Sequence, residues 1–155
     1  MSYVFDTNVF ITLFSNFYRE RFPSLWALFD EMISENRITS TREALREIED
    51  RNVGLYKWAQ NNQEIYITPN AKEGAFVTAI YKVAHFRQNI ERQKILKGGK
   101  NADPFIIARA AVAGYPVVTT ENHKPDAVKV PNICENFKIP CLSLEQFMEA
   151  ENWRF

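Results

Sequence analysis

The chain has 155 residues, with 19 Lys plus Arg against 19 Asp plus Glu, 46% hydrophobic and 25% charged residues. That length fits one domain with a sizeable core, and the composition excludes a disordered or fibrous chain. The balanced charge neither requires nor forbids a nucleic-acid partner, because the distribution of charge decides that. No apolar stretch approaches the roughly 20 residues of a membrane span, and the N-terminus lacks the basic flank and apolar run of a secretion signal, so a cytoplasmic protein with no membrane contact is expected. Cys134 and Cys141 stand seven apart without a second pair or a nearby His, which suggests neither a disulfide framework nor a zinc site.

The first element is carried by "YVFDTNVF", residues 3 to 10. An apolar run followed by Asp-Thr-Asn reads as a buried strand emptying into a helix start, because these side chains offer oxygens to unpaired helix N–H groups. Asp6 then sits at the C-terminal end of a central strand, the edge at which open α/β sheets bind ligands. A simple helix cap is the plainer reading of the same residue. Residues 10–18 and 24–35 have helical period, with Pro23 placed to open the second helix. "RITS" (37–40) is a short strand, and Ser40 with Glu43 forms a capping box that starts the helix "TREALREIED" (41–50).

A helix is expected around 55–60, a strand at "EIYITP" (64–69), and one long helix over 72–94. "LKGGKN" (96–101) breaks it. Asp103-Pro104 opens "PFIIARAAVAG", apolar all round and hence buried, with Gly114 placed to end it. It feeds the strand "PVVTTE" (116–121), then a short helix near 133–137, a strand at 141–143 and a terminal helix at 144–150. Strands alternating with helices predict a three-layer α/β/α sandwich with a mainly parallel sheet of about five strands.

Four acids fall near strand C-termini or the helices after them: Asp6, Glu47, Asp103 and Glu121. Strands one and four are neighbours in a doubly wound sheet, which brings Asp6 beside Glu121. Like charges in a partly buried cleft raise one another's pKa, so such a cluster is costly unless a cation compensates it. With no His or Cys in the set, all-oxygen ligation favours Mg²⁺ or Mn²⁺ over zinc. Alternatives stand at three of these positions: Asp103 as a helix cap, Glu49 in place of Glu47 on the opposite edge of the Ala44, Leu45, Ile48 stripe, and Asp126 in place of Glu121.

The stretches "VFDTNVF", "ALREI", "ADPFIIARA" and "VVTTE" resemble, in order and across the whole chain, the four motifs of the PIN domain, a family of metal-dependent ribonucleases that includes toxins of bacterial toxin–antitoxin pairs. "VPNICENFKIPCLSLEQF" is similar to a group of stand-alone bacterial PIN proteins. The resemblance selects Glu47 over Glu49. It departs from the family pattern at Glu121, where Asp is commoner, and in the loop "NHKPDAVKVP" that follows. By this resemblance residues 1–155 form one PIN-like nuclease domain. Asp6, Glu47, Asp103 and Glu121 bind one or two Mg²⁺ or Mn²⁺ ions for water attack on an RNA phosphodiester. Thr7 and Asn8, with Thr119 or Thr120, orient those ligands. RNA is the implied substrate, and an antitoxin protein and a homodimer are further assemblies open to such a chain.

From 82 to 100 the sequence carries Lys82, Arg87, Arg92, Lys94, Lys97 and Lys100 against Glu91 alone. This is the marked charge imbalance of a neutral chain, and Lys94, Lys97 and Lys100 near Gly98-Gly99 are placed to bring phosphates to the acidic edge. A solvated helix face is the plainer account. A haloacid-dehalogenase-like phosphatase would need a second acid where Asn8 stands. A PIN-like RNA- or protein-binding module with little catalysis is the alternative, against which the four acids speak.

Overall fold

The computed structural model describes residues 1–49, 51–96 and 98–155, and of Asn89 the backbone alone. Its central strand is β1 (Tyr3–Phe5), buried at all three residues because apolar side chains fill both faces. β1 pairs in parallel with β2 (Ile38–Thr41), Tyr3 opposite Ile38, and with β4 (Val117–Val118), Val4 opposite Val117. β3 (Tyr66–Ile67) extends the sheet beyond β2 and β5 (Cys141–Leu142) beyond β4, giving the order β3-β2-β1-β4-β5 with every pair parallel. The expected five-stranded α/β/α sandwich is therefore the observed one, with strands one and four adjacent.

The helices of the first half are α1 (Thr7–Asn16), α2 (Pro23–Ser34), α3 (Arg42–Ile48) and α4 (Val53–Gln60). Pro23 opens α2 at its first turn, where its missing N–H costs nothing. α5 (Ala71–Tyr81), α6 (Ala84–Leu96), α7 (Asp103–Ala113), α8 (Val130–Asn136) and α9 (Leu144–Ala150) follow. Gly114 ends α7 at φ 76°, a left-handed conformation that glycine adopts without strain. Among the described residues no helix is long and apolar enough to cross a membrane.

Tyr3 and Phe5 share one face of β1 and pack edge-on against Phe147 of α9, with ring centroids 4.8 and 5.1 Å apart. Phe5 also meets Phe10, which joins Phe14, Trp26, Phe29 and Trp58 in an aromatic cluster between α1, α2 and α4. Each such ring buries a large apolar area, so this cluster anchors the turn from β1 into α1 on which Asp6 sits.

Three local expectations are corrected. Ser40 does not cap α3: β2 runs one residue further, the cap position falls to Thr41, and the Ser40 hydroxyl donates instead to the Phe5 carbonyl at 2.8 Å. Glu43 pairs with Arg42 and Arg46. The helix ends at Ile48 rather than running on through Glu49, and Asp50, the last residue of that segment, lies outside the described residues. The strand expected at 64–69 shrinks to β3, preceded by a 3-10 turn at Gln63–Ile65, because the Thr39 hydroxyl takes the Ile65 carbonyl that a ladder amide would use. The single helix expected over 72–94 is two, broken at Lys82 and Val83. Ile80 of α5 and Phe86 and Ile90 of α6 are buried on either side of the break.

Candidate functional site

The site lies where β1 and β4 end side by side. Asp6 follows Phe5 directly and caps α1, its Oδ1 accepting the Thr7 N–H at 2.8 Å. Cap and cleft carboxylate are thus one residue. Its other oxygen, Oδ2, accepts from the Thr119 hydroxyl at 2.8 Å and from the Asn8 amide at 3.2 Å. Thr119, just past β4, also receives the Glu121 N–H at 3.1 Å, while Asn8 Oδ1 receives the Thr120 N–H at 3.1 Å. Side-chain bonds therefore lace the end of β1 to the end of β4, and Asp6, Thr7 and Thr119 are each at most 4% exposed.

The remaining acids come from three other elements. Asp103 is the first residue of α7, 4% exposed, with Ala102 rather than Asp103 at the cap position. Its N–H donates to Asn101 Oδ1 at 3.2 Å. Glu47, half-buried on α3, accepts the Ala102 N–H at 2.5 Å through Oε1, which ties α3 to the start of α7. Glu49 is exposed beyond the end of that helix. Glu121 accepts the Val130 N–H at 2.8 Å through Oε2. Asp126 is exposed with φ 60°, and its carbonyl meets the His85 ring nitrogen at 2.9 Å.

Electrostatics bind these positions together. Burial pushes the Asp6 carboxyl well above the usual carboxylate range, and the charges of Asp103, Glu121 and Glu47 push it further, against the lowering bond from Thr119. All four sequence-expected acids thus act on one point. They do not form a closed cage: among the described residues no three His, Cys, Asp or Glu side chains stand close enough to hold an ion as placed. The donor set still suits a hard divalent cation, because it is all oxygen and because a cation would relieve the mutual repulsion that raises Asp6. Two buried polar atoms at the site, Thr7 Oγ1 and Asn101 Nδ2, have no hydrogen-bond partner. Asn101 escaped the sequence reading, although an Asn two residues before a helix-opening Asp is a signal for a side chain that bonds the backbone just ahead.

The basic residues singled out from the sequence precede the start of α7 in the chain. Lys94 is exposed in the last turn of α6 and Lys100 half-buried beyond Gly99, while Lys97 lies outside the described residues. Beneath the site the two cysteines meet. A hydrogen bond to Cys141, then burial, pushes the Cys134 thiol up, and the same bond lowers Cys141.

The arrangement is a parallel five-stranded sheet whose C-terminal edge carries Asp6, on which the charges of Asp103, Glu121 and Glu47 act. Among solved structures the chain is similar to a chain of VapBC2 from Rickettsia felis bound to a DNA fragment from their promoter, at 14% identity. That likeness covers 92% of this chain and 98% of the other with a TM-score of 0.50, and it shows a shared fold. Over residues 3–155 the sequence matches the family described as Domain of unknown function (DUF4411), and the chain belongs to that family. No curated protein matches it.

Proposed function

We propose that the chain is a metal-dependent endoribonuclease, one PIN-like nuclease domain hydrolysing RNA phosphodiester bonds with Mg²⁺ or Mn²⁺. The observation that carries this reading is Asp6, a carboxylate at the C-terminal sheet edge that is raised first by its burial and then by the charges of Asp103, Glu121 and Glu47. Such crowding costs stability and suits a site whose charge is completed by a cation. Asp6, Glu47, Asp103 and Glu121 would hold the ion, which when bound lowers the pKa of a water and neutralises charge developing on a phosphate.

The chain's own groups supply the rest. Thr119 and Asn8 fix the Asp6 rotamer through Oδ2. Lys94, Lys97 and Lys100 would steer the strand toward this edge by charge. The likeness to VapBC2 favours a toxin role with a separate antitoxin chain as partner.

A second reading rests on one observation: Glu47 and Glu121 each already accept a backbone N–H, and among the described residues no three acids stand close enough to hold one ion. On that reading the domain binds RNA or protein without cutting. Cleavage of labelled single-stranded and structured RNAs in Mn²⁺, Mg²⁺ or EDTA, with wild type and Asp6→Asn purified in parallel, separates the two. Cutting by wild type alone, abolished by EDTA, supports the nuclease. Metal-independent cutting, or equal cutting by both proteins, overturns it.

A further inference from the structure

Beside the carboxylates, on the β5 side, lies an open cleft of about 250 Å³ bordered by Thr119, Glu121 and the loop that follows. Its apolar lining is Pro131, Cys141 and Leu142, and its polar lining includes Asn122, His123, Ser143 and Gln146. We propose that this cleft holds an unpaired nucleobase of the RNA strand, next to the phosphate that is cut; the assignment to a strand rests on the nuclease reading above.

Charge decides against a phosphate here. No lysine or arginine among the described residues lines the cleft, and Glu121 contributes a carboxylate, so an anion is repelled where a neutral ring is not. An apolar lining beside amides fits a flat heteroaromatic ring with a hydrogen-bonding edge. Partners for that edge are available. Gln146 Oε1 is spent on the Ser143 N–H, but its Nε2 has no partner among the described residues, and neither does the Asn122 amide.

His123 adds an aromatic ring to the lining. Its Nε2 meets Glu135 at 2.7 Å, which holds a ring that is otherwise half exposed. The same ring borders a second cavity of about 420 Å³ that contains His85 and Phe86, again with no lysine or arginine among the described lining residues. The two cavities thus meet at His123 and continue from Glu121 toward α6, with the exposed His123 and His85 among their lining residues. The loop 122–131 that contributes to both is the one that departs from the PIN pattern in sequence.

The test uses nucleosides, which carry the base without the phosphate. Titration of adenosine, guanosine, cytidine and uridine should give saturable NMR shifts of the Asn122 and Gln146 side-chain amides, with one base favoured. His123→Ala should weaken that binding roughly tenfold, and His123→Phe, which keeps the stacking face, should restore most of it. In cleavage of an RNA library randomised around the cut, His123→Ala should flatten the base preference at one flanking position without abolishing cutting. Absence of saturable shifts overturns the pocket, whether or not RNA is cut. Nucleoside binding with an unchanged cleavage preference overturns the strand assignment in favour of a free nucleoside. Nucleoside binding without any metal-dependent cutting overturns the nuclease reading and leaves a nucleobase site.

Discussion

Two carboxylates at opposite ends of the sheet are treated in opposite ways. At the N-terminal edge Glu151 receives the Arg37 guanidinium at 2.6 and 2.8 Å and the Tyr3 hydroxyl at 2.6 Å. Those bonds outweigh its burial and hold its carboxyl below the ordinary range, while the Tyr3 phenol is pushed up to about 12, burial being the largest cause. At the C-terminal edge Asp6 is surrounded by further acids and pushed the other way. A carboxylate that only joins elements is compensated within the chain. One left raised by its neighbours points to a charge that arrives from outside.

The sharpest way to break this contrast is to neutralise each side. Asp6→Asn or Asp103→Asn should lower metal-dependent RNA cleavage by about a thousandfold or more, since each loses a ligand charge without losing volume. Circular dichroism should show the fold intact. Because the fold raises the Asp6 carboxyl, metal-free wild type loses stability as pH rises from the ordinary carboxylate range toward the raised value. Asp6→Asn should therefore melt no lower than wild type at pH 7 without metal, and urea titrations across pH should show that advantage shrinking on acidification.

Thr119→Val tests the lacing between β1 and β4. It removes the bond that lowers Asp6 and frees Asn8 and the Glu121 N–H from their shared partner. Cleavage assayed at saturating Mn²⁺ should fall by about ten- to a hundredfold. Glu151→Gln should act on stability alone, lowering it by about 1–3 kcal/mol at pH 7 and leaving cleavage unchanged. The Glu151 carboxyl is lowered in the fold, so its contribution is present above the ordinary carboxylate value and is lost as pH falls through the folded one. The gap between variant and wild type in urea melts should accordingly close in acid.

The Asp6 side of this contrast was legible in the residues; the Glu151 side was not. An apolar run ending in Asp-Thr-Asn announced both the strand and its acid, and the buried helix between Asp103 and Gly114 stands as its apolar surround implied. The choice of Glu121 over Asp126 beside Asp6 was not legible, because it depends on how a loop folds back until the Val130 N–H meets Glu121. Ser40 misled for a related reason: a hydroxyl can serve a helix N–H or a neighbouring strand's carbonyl, and only the register of β1 on β2 decides. The split at Lys82 and Val83 and the cleft at His123 depend on long-range packing that local periodicity does not record.

The most direct measurement is the melting temperature of wild type, Asp6→Asn and Glu151→Gln during a Mn²⁺ titration. At a hundredfold excess over Kd a specific ion stabilises the fold by about 2.7 kcal/mol. Wild type and Glu151→Gln should rise together by several degrees with a common saturation, and Asp6→Asn should stay flat. An equal rise in all three proteins, or none in wild type, would contradict a cation site built on the raised carboxylate.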